Sequence, residues 1–261
     1  MTVSPTPAPG PRRQGSSRGA GGPNAAASLT GSLLVLGALV LIWLARLSID
    51  RELYVSEMGA TGEPTAAVFK VALLLVVAGG SLIAFASRGV RSRVRLLSAW
   101  TPAVSLWVAC GFFLVAAQVT CTAGCPVPYG DSFTWQDFTH IVCAVVAFAA
   151  SAWAMLQVSF VRGQRRLALF SRISGASVAI IAATGGILSL IGFATDFGSR
   201  LELVATTIAI GWVAVYGAVI GFRHLAAAVG SGDPDSGDPG SGRTAAGGEV
   251  SASGVALTPS A

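Results

Sequence analysis

Lysine is nearly absent from this chain. Lys70 is the single one among seventeen basic residues, and charged residues of both signs make up only 11% of 261 positions. Soluble domains carry about a quarter of their residues as Asp, Glu, Lys or Arg, so this shortage excludes an ordinary soluble enzyme. Histidine is equally scarce, with two in the whole chain. There is no His-Glu-x-x-His run, no Gly-x-Ser-x-Gly elbow and no phosphate-cradling glycine loop. Four cysteines do not make the two pairs of a structural zinc site: Cys121 and Cys125 flank a Thr-Ala-Gly turn, whereas Cys110 and Cys143 stand alone inside apolar runs. Those runs also lack the alternating polar residues of a barrel strand. Their middle thirds carry little beyond Ser, Thr and Gly as polar groups, which argues against a proton- or cation-coupled transporter with an intramembrane polar path.

What is abundant is apolar surface: 53% of residues are hydrophobic and the mean hydropathy is +0.69. Six apolar segments, at about Leu29–Ile49, Thr65–Ala86, Ala99–Val119, Phe138–Val161, Ile173–Thr195 and Leu201–Phe222, approach the roughly 20 residues a helix needs to cross ~30 Å of hydrocarbon. Backbone groups in lipid must be satisfied within the segment, so helices are the expected form. The sequence predicts an all-α polytopic membrane protein, a bundle of six transmembrane helices over residues 29–224. Residues 1–28 and 225–261, rich in Gly, Pro, Ser and Asp or Arg, are expected to be disordered cytoplasmic tails. Arg12-Arg13 lies well ahead of the first apolar run and no small-x-small cleavage site follows, so a cleaved signal peptide is not expected.

Orientation follows from arginine. Arg88, Arg91, Arg93 and Arg95 occupy the second connection and Arg162, Arg165, Arg166 and Arg172 the fourth, while Arg12, Arg13 and Arg18 precede the first span. Acids occupy the other connections: Asp50, Glu52, Glu57 and Glu63, then Asp131 and Asp137, then Asp196 and Glu202. The positive-inside rule puts both termini in the cytoplasm and these acids outside. The net charge of +5 sits in short loops without aromatic interleaving or a recognition module, so nucleic acid is not an expected partner. Anionic lipid head groups at the Arg-rich inner loops are. Arginine in place of lysine and abundant alanine suggest a bacterial, high-GC source, and hence the bacterial cytoplasmic membrane. Small residues at Gly79-Gly80, Gly185-Gly186 and Gly217-x3-Gly221 mark close helix contacts, either within the chain or at the seam of a homo-oligomer or other membrane partner. Trp43, Trp100 and Trp135 fall near the span ends, as an aromatic belt requires.

Candidate chemistry gathers at the acidic end. Asp137 and His140 lie three apart at the start of the fourth span, so they share a helical face. They could orient one another, share a divalent metal, or serve as an acid–base pair. Asp137 could equally cap the helix while His140 bonds a loop carbonyl. Glu57 and Asp196 complete the set of catalytic candidates. Lys70, one to two turns into the second span, is expected to snorkel or to pair with Glu57 or Glu63. An oxidising exterior would let Cys121 and Cys125 form a disulfide.

The run Tyr54-Val-Ser-Glu-Met-Gly59, the Gly62-Glu-Pro64 turn and His140 at the outer start of the fourth span give the chain a likeness over roughly residues 31–222. It resembles the bacterial integral membrane family catalogued as domain of unknown function 998. The resemblance implies a six-helix membrane protein with an outward cluster of Ser56, Glu57 and His140, and it brings no established activity; the Cys121/Cys125 loop and the long tails depart from the family pattern. Ser56, Glu57 and His140 from this resemblance, with Lys70 from its place in the second span, are the ligand-binding candidates. Three functions stay in view: a non-enzymatic protein binding a lipid or membrane partner at an acidic, His-containing outer pocket; a membrane-embedded metal-dependent hydrolase; and a small transporter or permease component. No cofactor is predicted beyond the divalent metal that Asp137 and His140 could hold.

Overall fold

The computed structural model describes residues 21–126, 131, 133–191, 193 and 195–230. Six helices account for about three quarters of them: α1 (Gly21–Leu47), α2 (Ala66–Ala86), α3 (Pro102–Gln118), α4 (Trp135–Val158), α5 (Arg165–Leu190) and α6 (Thr195–Gly230). Neighbours in sequence pack against one another, and α6 closes the ring by packing on α1. This is the order of an up-and-down bundle.

Five of the helices are long and apolar enough to cross a membrane. α3 has 17 residues, about 26 Å of helix and the short end of what a span requires. Pro102 at its first position fixes its start. Just before it, a single 3-10 turn at Leu96–Ser98 is held by Gln157 of α4. The Gln157 amide donates to Leu97 O (3.1 Å) and Trp100 O (2.8 Å), and its Oε1 accepts from Ser105 Oγ (2.8 Å). Trp100 Nε1 donates to Ser105 Oγ at 2.9 Å, which completes the network.

Packing is inverted relative to a soluble bundle. Leu33, Val40, Leu44, Val145, Ile180 and Ile187 face outward, while the interior is rich in Ala and Ser. Apolar side chains turned outward on every helix make surface that only lipid can cover, and the chain is a multi-pass membrane protein. Small residues let the backbones meet. A Cβ on Gly217 would stand 2.5 Å from Ser32 Oγ and one on Gly221 2.7 Å from Leu29, so the Gly217-x3-Gly221 stripe is used inside the chain, between α6 and α1. Gly80 similarly admits Cys110 of α3.

The helices reach further than the apolar runs. Residues 21–28, expected to be disordered, form the first two turns of α1, and 225–230 the last turns of α6. Alanine at 25–27 and 226–228 is the best helix former. Tertiary contacts hold the extension: Ser28 Oγ donates to Gly217 O at 2.7 Å, and Gly21 lies against Ala228. The remainder of both expected tails lies outside the described residues. Both helix termini thus share one end of the bundle with the α2–α3 and α4–α5 connections, which pair through a Ser92–Val161 bridge and an Arg93 N to Phe160 O hydrogen bond. The three acidic connections share the other end.

Candidate functional site

At the acidic end the α1–α2 connection folds inward. Leu53, Val55, Met58 and Ala60 are buried, which turns residues 48–65 into a plug over the helices. Ion pairs hold it from outside. Glu52 accepts from Arg46 at the end of α1 (2.6 Å) and from Arg200 of α6 (2.8 Å), and Arg51 reaches both Glu57 (3.5 Å) and Glu63. Hydrogen bonds from Arg200 and then Arg46 hold the Glu52 carboxyl below its ordinary value, whereas burial pushes Glu57 up. Thr65 Oγ1 donates to Met58 O (2.9 Å). Gly59 is required because a Cβ there would meet Phe69 at 2.6 Å, and Gly62 takes the left-handed φ of 91° that turns the chain toward α2.

Beneath the plug, α1, α2, α3, α4 and α6 enclose a cavity of about 80 Å³. Its walls are almost wholly apolar, from Val35, Val76, Leu106 and Phe148 up to Val55. The polar exceptions at its upper end are Ser56, His140 and Glu202, with Thr206 one turn below Glu202. Glu202 accepts from the Val55 amide at 2.8 Å and lies against the amide and hydroxyl of Ser56. The Thr206 hydroxyl is buried with no hydrogen-bond partner among the described residues, a condition that normally marks a place for water or ligand.

His140 is 4% exposed. Its Nδ1 lies 3.0 Å from Ala116 O and 2.7 Å from Val119 O, the open carbonyls at the end of α3. Two carbonyl oxygens can only accept, so Nδ1 carries a proton directed at the end of α3. Asp137 beside it is wholly buried. Its carboxylate takes the Thr122 amide (2.7 Å), the Thr122 hydroxyl (2.8 Å) and the Thr134 hydroxyl, while Thr134 caps α4 by accepting from the Asp137 amide at 3.0 Å. Cys121 and Cys125 are joined in a disulfide whose ring contains Thr122, and the Thr61 amide of the plug donates to Cys121 O at 2.9 Å.

The structure therefore brings Ser56 and His140 to one cavity and adds Glu202. Glu57 is turned to Arg51, Asp137 to its threonines, and Asp196 is exposed in the first turn of α6. Among the described residues no three His, Cys, Asp or Glu side chains converge as a metal-holding group. Lys70 is half-buried and pairs with neither Glu57 nor Glu63. Of the two expectations for Lys70, snorkelling or pairing, the pairing is not formed: Arg51, on the plug itself, takes both carboxylates with one fork. Glu202 was legible as an acid one residue inside the sixth apolar run, where an ionisable group marks function by default; counting it as a loop acid hid it.

Compared with protein-family models, curated proteins and solved structures, the chain finds no match.

Proposed function

We propose that this chain is a non-enzymatic protein of the bacterial cytoplasmic membrane, both termini inside, that binds a lipid at its outer end. One acyl chain enters the cavity between α1, α2, α3, α4 and α6, and the lipid's polar group is recognised by Ser56, His140 and Glu202. The observation that carries this reading is the cavity itself: an apolar lumen of about 80 Å³ whose polar lining is concentrated at its upper end. That is several times the space one water needs, and apolar walls with a few convergent polar groups suit an amphiphile. Thr206, buried and without a partner among the described residues, offers one further hydrogen bond. A metal-dependent hydrolase draws less support, since Asp137 and Glu57 are committed to Thr122, Thr134 and Arg51.

The test is native mass spectrometry of the protein released from mild detergent, with elemental analysis of the same sample. The wild type should carry one lipid per chain, and Leu106→Trp, which fills the lumen, should lose it while keeping its helical circular dichroism. A folded wild type without lipid overturns the reading. Near-stoichiometric transition metal that disappears in His140→Ala would replace it with the hydrolase.

A further inference from the structure

The opposite end of the bundle carries a second concave feature, independent of the lipid cavity. Ala86 and residues 89–93, then Val161, Arg162 and Gln164, and from α6 Ile220, Arg223, His224 and Ala227 line a basin of about 660 Å³. Four guanidinium groups border it, from Arg91, Arg93, Arg162 and Arg223. None has a carboxylate within ion-pair distance among the described residues, whereas Arg46, Arg51 and Arg200 at the other end are all paired.

Its frame is built rather than loose. The Ser92–Val161 bridge and the Arg93 N to Phe160 O bond (3.0 Å) fix the two connections to each other. His224 Nε2 donates to Ala86 O at 2.9 Å, which ties α6 to the end of α2 and presents Arg223 beside it. Gln164 Oε1 is buried in the wall without a hydrogen-bond partner among the described residues. Arginine used only to set orientation needs no convergence, and Arg165 and Arg166 on α5 lie outside the basin. Four exposed guanidinium groups on one concave surface, unpaired among the described residues, offer an anion several donors at once, and the planar fork of arginine matches phosphate oxygens bidentately.

We propose that this basin is a binding site for a phosphate-bearing anion, held by Arg91, Arg93, Arg162 and Arg223. The phosphate comes either from a lipid head group of the adjoining leaflet or from a soluble phosphate compound; the volume admits a whole head group.

The experiment uses the full chain in neutral detergent and follows its melting temperature during titration with inorganic phosphate and, separately, with phosphatidic acid in mixed micelles, against phosphatidylcholine as the blank. At least one phosphate probe should give a saturable rise. Arg93→Gln with Arg223→Gln should weaken the apparent affinity about tenfold or more, since charge-assisted bidentate contacts are lost. Arg165→Gln with Arg166→Gln, the same change in net charge, should leave it unaltered. Saturation by phosphatidic acid alone assigns the site to a head group; saturation by inorganic phosphate, with displacement of the lipid, assigns it to a soluble compound. No saturable response, or equal weakening in the two double variants, overturns the proposal. So does a response confined to a variant ending at Gly230, which would make the tail acids Asp233, Asp235 and Asp238 the occupant.

Discussion

Gly31 and Gly79 face each other where α1 crosses α2, each against the other's backbone. A Cβ on Gly31 would stand 2.6 Å from Gly79 O, and one on Gly79 would stand 2.5 Å from Gly31 O. Neither neighbour is the tip of a flexible side chain, so the helices themselves would have to separate. Without a solvophobic force between helices in lipid, that contact rests on packing alone. Gly31→Ala or Gly79→Ala should therefore cost about 1–3 kcal/mol, the usual penalty of overpacking. At Gly37 and Gly111 a Cβ would meet nothing within 4 Å, and alanine there should stabilise by roughly 0.5–1 kcal/mol through helix propensity. Thermal melts of the four variants in one detergent decide the matter; equal melting would mean that the crossing does not hold the bundle together.

Gln157 makes the second prediction. It is wholly buried and satisfies Leu97 O, Trp100 O and, through its Oε1, the Ser105 hydroxyl. Gln157→Leu keeps the volume and strands two carbonyls at the entry to α3, with an expected loss of about 1–3 kcal/mol. Hydrogen exchange of residues 96–102 should rise in that variant while α1 and α6 stay protected. Uniform loss of protection across all six helices would show that the network is not local.

Helix number and order were readable because each apolar run has the length hydrocarbon imposes, and that constraint acts on composition alone. Helix ends were not, because Gly21–Ser28 and Leu225–Gly230 are held by contacts across the chain, Ser28 to Gly217 and Gly21 to Ala228, which no local pattern encodes. At the outer end His140 stood out as an imidazole beside an apolar run. Which carboxylate it would share a cavity with depended on the fold of the plug: Val55 and Ser56 had to turn inward to meet Glu202, and Arg51 had to reach Glu63 before Lys70 could. Spacing along the helix favoured Asp137 instead, yet its partners, Thr122 and Thr134, lie in the connection ahead of α4.

The plug should respond to acid in two steps of opposite sign. Glu57 has a carboxyl raised above 4.5 by burial, so the folded state holds its proton more tightly than the unfolded one. Its contribution is present below 4.5 and is lost as pH rises through the raised folded value. Glu52 is depressed by hydrogen bonds from Arg200 and Arg46, so its contribution is present above 4.5 and is lost as pH falls through the depressed folded value. Compared with the wild type in melts across the acid range, Glu57→Gln should flatten the decline above 4.5 and Glu52→Gln should flatten the decline below it. Identical pH profiles for all three proteins would show that the plug's ion pairs do not contribute to stability.

The two functional proposals place their ligands on opposite sides of the membrane, and this division can be tested with thiols. Cys110 and Cys143 are buried and unpaired, and Cys121 and Cys125 are joined, so replacing the first two with alanine leaves no free thiol. On that background Gly89→Cys adds one at the Arg-rich end and Asp131→Cys one at the acidic end, both at exposed positions. Arginine is retained on the cytoplasmic side of short connections. An impermeant maleimide added to intact cells should therefore modify Asp131→Cys and leave Gly89→Cys untouched until the membrane is opened. If the order is reversed, the phosphate basin faces the exterior, where the adjoining leaflet and the soluble anions differ, and the lipid-binding end opens to the cytoplasm. Labelling of both positions in intact cells would mean that the chain inserts in two orientations, and neither ligand could then be assigned to a side.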